Sequence, residues 1–172
     1  MSAELAAAFR DFFVESLAGD VATTKKVILA VPDDASKWGY KHDPKSRSAF
    51  ELAWHLASVD VAFLEGVANR RFLTPEEEVA YSKKHEPKSI AAMADWYEKE
   101  MKNALDRVKK MSGEDLDKKV QFFSFNLPGY VYLSFVKSHS IHHRGELATY
   151  LRPMGSKVPS IYGPSADEEW KG

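Results

Sequence analysis

The chain contains no cysteine among its 172 residues, which excludes disulfides, cysteine-type zinc sites and a thiol nucleophile of the protein's own. A metal would have to sit on His, Asp or Glu. No stretch approaches the ~20 uninterrupted apolar residues of a membrane span, so no membrane association is expected. Residues 1–11 carry Glu4 early and no basic start before an apolar run, which is not the pattern of a secretion signal. The expected location is the cytoplasm. There is also no excess of either charge: 24 Lys and Arg face 25 Asp and Glu, and the basic residues are scattered instead of forming a stripe, so nucleic acid is not an expected partner. What is present is apolar material, 44% of residues, enough for one domain with a sizeable core and too little chain for two.

Helical periodicity marks four long segments, separated by stretches rich in Pro, Gly, Ser and Asp. The first spans about residues 3–31 and is ended by Pro32. The second spans about residues 48–68, with Ser46 or Ser48 as its cap. The third spans about residues 89–111 and is closed by Ser112 and Gly113, and the fourth spans about residues 130–153, with Gly155 placed to end it. Trp38 and Tyr40 are expected to fold back over a bundle end. The residues from Thr74 to Glu78 predict a short extra turn, and residues 120–129, aromatic and β-leaning, predict a loop or an isolated strand because no pairing segment is evident. The tail from Lys157 to Pro164 is expected to pack along the bundle.

The chemistry concentrates in the fourth segment, at His139-Ser140-Ile141-His142-His143-Arg144-Gly145-Glu146-Leu147. A spacing of four puts His139 and His143 on one helix face, one turn apart, where two imidazoles can grip one ion; His142 points elsewhere. A catalytic divalent metal usually takes three protein ligands and keeps one position open. Of the other histidines, His42 and His85 sit in polar surroundings and read as solvated loop residues. His55 lies mid-helix in phase with Leu52, Val59, Ala62 and Phe63, facing the core. Alone it reads better as a core histidine satisfied by one hydrogen bond; beside the pair at 139 and 143 the metal reading leads.

Ala53-Trp54-His55-Leu56-Ala57, taken with the run from His139 to Leu147 and with Tyr150-Leu151-Arg152, resembles the DinB/YfiT-like superfamily of bacterial four-helix-bundle proteins. The likeness spans nearly the whole chain. It implies an all-α four-helix bundle across residues 1–172 with one long crossover connection and short extra helical turns and loops. It further implies that the second and fourth helices face each other, with His55, His139 and His143 converging on a divalent ion, and that the protein is a homodimer. His142 matches a position often occupied by His that is not usually a ligand. Glu146 is a departure, since Gln is common there, and it brings a carboxylate one turn after His143.

Three neutral ligands suit Zn²⁺, Ni²⁺, Fe²⁺ or Mn²⁺, and affinity order does not choose among them. Within the resembling superfamily some members are transferases or isomerases using small thiols such as bacillithiol or mycothiol, and others are described as metal-dependent hydrolases. The first expectation is therefore transfer of a low-molecular-weight thiol to a small-molecule electrophile. Hydrolysis is the alternative and needs a general base, for which Glu146 and Asp60 are candidates; both read first as surface residues or hydrogen-bond partners of a ligand. A metal or small-ligand binding protein without catalysis is the third reading. Arg144 and Arg152 are candidates to bind an anionic cofactor or substrate, against the plainer reading that they complement a helix dipole. Trp54, Tyr132 and Tyr150 line a cavity or belong to the core.

Overall fold

Ser and Thr side chains start five of the six α-helices by accepting a backbone N–H of the first turn. Ser2 opens α1 (Ala3–Leu29), Ser48 opens α2 (Ala49–Asn69), and Thr74 opens α3 (Pro75–His85). Ser89 opens α4 (Ile90–Lys109), Ser112 opens α5 (Gly113–Asp117), and α6 (Gly129–Leu151) follows Pro128 directly. A 3-10 turn at Ala35–Lys37 and a hairpin of β1 (Lys119–Phe122) and β2 (Phe125–Pro128) complete the elements. The structure is a computed structural model and describes residues 1–170; residues 171 and 172, the end of the expected domain, lie outside the described residues.

Four helices enclose the core. α1 packs on α4 and α6, and α2 packs on the same two, so α1 and α2 are diagonal. Side-chain pairs give the directions. Lys137 of α6 bonds Ser16 and Asp20, while Arg144, two turns on, bonds Thr24, so α1 and α6 are parallel. Tyr97 meets Asp60 and Arg107 meets Glu65, so α2 and α4 are also parallel. Joining two parallel neighbours forces the chain back along the whole bundle, and residues 70–89 make that return. This is the long crossover.

The crossover holds an 11-residue helix where only a short turn is expected from the sequence. Periodicity misses α3 because it contributes no fully buried residue and so has no apolar stripe. It is held by its ends: a reciprocal capping box between Thr74 and Glu77, Pro75 in the first turn, acids at the start, and Lys83, Lys84 and His85 at the finish.

Two further corrections come from the connection between α4 and α6. Ser112 and Gly113 do not merely close α4; Ser112 caps α5, and Gly113 packs so tightly on the Ala3 backbone that a Cβ would collide with it. The aromatic run does have a partner, itself: Phe122 pairs with Phe125, and Val120 with Leu127, across Phe123 and Ser124. Phe123 takes φ of 49° without the Asn-Gly signature that usually announces such a turn, so the hairpin has no sequence flag. At the other end of the bundle Trp38 stacks on Phe50 with ring centroids 4.7 Å apart, and Tyr40 meets Tyr150 edge-on, covering the core as expected. The tail packs back too, with Tyr162 donating to Asp20 and Ser156 to the Ala30 carbonyl.

Candidate metal centre

α2 and α6 run antiparallel and in contact, which brings residue 55 of one helix opposite residues 139 and 143 of the other. His55 Nε2 and His139 Nε2 are 3.3 Å apart, and one nitrogen from each of His55, His139 and His143 lies within 4.8 Å of the others. All three rings are half-buried. His142, on the outer side of α6, is exposed; it can group with His143 and Glu146, but it is not one of the three converging rings.

Each of the two α6 rings has a carboxylate at Nδ1. His139 Nδ1 is 2.7 Å from Asp60 Oδ1, and His143 Nδ1 is 2.9 Å from Glu146 Oε2. An ionised carboxylate only accepts, so Nδ1–H donates and the lone pair is left on Nε2. The same arrangement orients histidines in many metal sites. Asp60 is fully buried; its other oxygen receives the Tyr97 hydroxyl at 3.4 Å. Burial pushes the Asp60 carboxyl above its usual range, opposed by the His139 and Ser140 hydrogen bonds and the Arg144 charge. Burial likewise raises the Tyr97 hydroxyl far above its ordinary value, so it remains a donor.

Burial, the nearby Arg47 charge and the other two histidines lower His55 to a pKa of about 3. Burial also lowers His143, against the pull of Glu146. Both rings are therefore neutral near pH 7, the form in which imidazole binds a metal.

The donor set fits a divalent ion. Zn–N bonds of about 2.0–2.1 Å at tetrahedral angles separate ligand nitrogens by about 3.3 Å, the spacing found between His55 and His139. Two lone-pair nitrogens facing each other at that distance repel unless a cation or a proton lies between them.

Other expected site residues fall elsewhere. Asp60 is an interior partner of His139 and not a surface residue, and Glu146 is spent on His143. Arg144 points into the core, where its guanidinium bonds Thr24 at 2.9 Å, Asp20 and Tyr162, and lies 4.8 Å from the Tyr162 ring centre. A side chain 1% exposed and already paired is a structural cation, not an anion receptor. Arg152 pairs with Asp167 of the tail and is not brought to the histidines. Tyr132 and Tyr150 are core residues whose hydroxyls bond backbone carbonyls. Trp54 joins α2 to the crossover, donating to Ser82 at 2.8 Å, and also borders a cleft of about 500 Å³ that includes His55. His42 is an exposed loop residue, as expected, and its ring also meets Tyr150 with centroids 4.2 Å apart.

The sequence marks Tyr97 only as a member of the third helical segment. Its link to Asp60 depends on the register between α2 and α4, for which periodicity carries no signal.

These observations define a four-helix-bundle protein with a cluster of three histidines between two antiparallel helices, able to hold a metal ion. The chain belongs to the DinB family, whose match covers residues 1–172. It is 27% identical over 162 residues to the uncharacterized protein YrdA of Bacillus subtilis (strain 168), covering 93% of this chain and 91% of YrdA. Among solved structures, a DinB-like protein from Bacillus cereus superposes with a TM-score of 0.70 at 22% identity, covering 87% of this chain and 95% of the other. A DinB-like protein from Bacillus subtilis gives 0.65 at 20% identity, covering 92% and 99%. Likenesses at these identities speak to the fold.

Proposed function

We propose that the protein is a metal-dependent enzyme that joins a small thiol to an electrophilic small molecule, with His55, His139 and His143 as the ligands of a divalent ion such as Zn²⁺, Ni²⁺, Fe²⁺ or Mn²⁺. The observation that carries this reading is the convergence of three imidazoles, two of them with Nδ1 already held by a carboxylate. A divalent ion bound there supplies positive charge that lowers the pKa of a thiol or water brought to it. The thiol is a second small molecule, because the chain has no cysteine. In the reaction the thiol gives up its proton to solvent and its sulfur bonds the electrophilic carbon, whose leaving group departs with the bonding pair.

The positions of the two carboxylates favour thiol transfer over hydrolysis. A hydrolase needs a base free to take a proton from water. Asp60 is enclosed between His139 and Tyr97, and Glu146 is bonded to His143, so both serve as positioning residues. The test is thiol consumption by metal-loaded protein given bacillithiol, mycothiol or glutathione and a haloalkane. Consumption above the buffer rate that disappears in His55→Ala is expected; turnover of an ester without any thiol would replace this reading with hydrolysis.

Asp60→Asn keeps the size of the side chain and removes its charge. Metal affinity is expected to fall about 10–100-fold, the usual cost of losing a ligand's carboxylate partner, as measured by competition with a chelating dye. Unchanged affinity would deny Asp60 its positioning role.

The proposal also includes the cytoplasmic homodimer expected from the sequence. Its support is a stripe on α1, where Leu5, Phe9 and Phe12 recur at helical spacing and are exposed. No helix among the described residues is long and apolar enough to cross a membrane.

A further inference from the structure

His55 borders the cleft between α2 and α3, and so does Arg47, one residue before the Ser48 cap. The chain has seven arginines. Six of them pair with a carboxylate: Arg10 with Asp11, Arg70 with Asp115, Arg71 with Glu77, Arg107 with Glu65, Arg144 with Asp20 and Arg152 with Asp167. Arg47 is the exception; among the described residues its guanidinium makes no ion pair and no hydrogen bond. Its backbone is nonetheless fixed, because its carbonyl accepts the Tyr150 hydroxyl at 3.1 Å. The result is a permanently charged fork of five donors, anchored at its base and open at its tip, in the cleft that His55 also lines.

We propose that Arg47 receives a carboxylate of the small molecule that binds beside His55, so that the thiol or its acceptor is a carboxylic acid. This deepens the function proposed above and rests on it for the chemistry at the histidines. None of the acids that share the cleft forms an ion pair with Arg47, although its charge is felt by Glu51. Glu51 is committed to the Ser48 backbone N–H and lies 3.8 Å from Lys41, while Glu78 and Glu86 stand on the α3 wall beyond ion-pairing distance of Arg47. Arg47 and His55 line one cleft, so a carboxylate on Arg47 would leave the rest of a small molecule in the space that His55 borders. Planar two-point recognition is the interaction that guanidinium and carboxylate make best.

The probes are 3-mercaptopropionate and 2-mercaptoethanol, which share a thiol and differ in the carboxylate. Each is titrated by calorimetry into cobalt-loaded and into metal-free protein, for the wild type and Arg47→Gln. The wild type is expected to prefer the acid by about tenfold or more, and Arg47→Gln to bring that ratio close to one. A ratio that survives Arg47→Gln, or a wild type with no preference for the acid, overturns the assignment. Failure of the metal reading shows separately, as a wild type that takes up no cobalt; the metal-free titration then decides Arg47 by the same two ratios.

Discussion

Wild-type protein purified without a nickel column and equilibrated with zinc or cobalt is expected to hold about one ion per chain, and His55→Ala to hold almost none. His55 is the cleanest of the three positions to remove. His139 and His143 each cover a carboxylate, so truncating either one strands Asp60 or Glu146 and confounds metal loss with a folding defect. Among the described residues His55 has no carboxylate partner, and its Nε2 faces His139. Its removal deletes one of three donors and leaves two on a single helix, a much weaker grip. His142→Ala is the control, because that ring is exposed and outside the converging set; it should retain the wild-type metal content. Elemental analysis of the three proteins measures this directly. Equal metal in wild type and His55→Ala would eliminate the three-histidine site.

The largest expected effect on stability lies away from the histidines, at Arg144. Removing one partner of a buried ion pair typically costs about 3–5 kcal/mol because the other charge stays buried. Arg144→Met preserves much of the volume and removes the guanidinium from Asp20, Thr24 and Tyr162. Asp20 keeps Lys137 at 2.6 Å and the Tyr162 hydroxyl at 3.0 Å, which places the expected loss near the lower end, about 3 kcal/mol. In urea this is a drop of roughly 1 M in the unfolding midpoint. Burial works to raise the Asp20 carboxyl, yet Lys137, Arg144 and Tyr162 outweigh it and hold the pKa below the usual value. A lowered carboxylate pKa stabilises the fold above the unfolded-state pKa, and that contribution fades as pH falls through the folded one. The gap between wild type and Arg144→Met should accordingly be full at pH 7 and shrink in acid. A midpoint within 0.2 M of wild type, roughly the resolution of the measurement, would show that Arg144 is not part of the core's support.

What the sequence made legible follows from the range over which each signal acts. The pairing of His139 with His143 is a local fact of helical spacing, and His55 stood out because a polar ring in an apolar phase needs an explanation. Asp60 carried a weaker signal: it pairs with a histidine 79 positions away, through a register between α2 and α6 that periodicity does not encode. Arg144 was hidden differently. It lies in the one buried stripe of α6 with Val136, Ser140, Leu147 and Leu151, where Ser140 and Arg144, one turn apart, break the apolar pattern that would have marked the position as interior. α3 and the hairpin escaped for want of their usual marks, an apolar face in one case and a Gly-containing turn in the other.

The crossover helix divides the molecule's evolutionary freedom in two. The three converging histidines sit on α2 and α6, where changing a neighbouring side chain disturbs close-packed core. The facing wall of the cleft comes from α3, which gives the core no fully buried residue. Substitutions at Glu78, Val79, Lys83 or Glu86 can therefore reshape what the cleft admits with little penalty in folding. A lineage could alter the shape and charge of this cleft along the crossover alone while the histidines and the interior stay as they are.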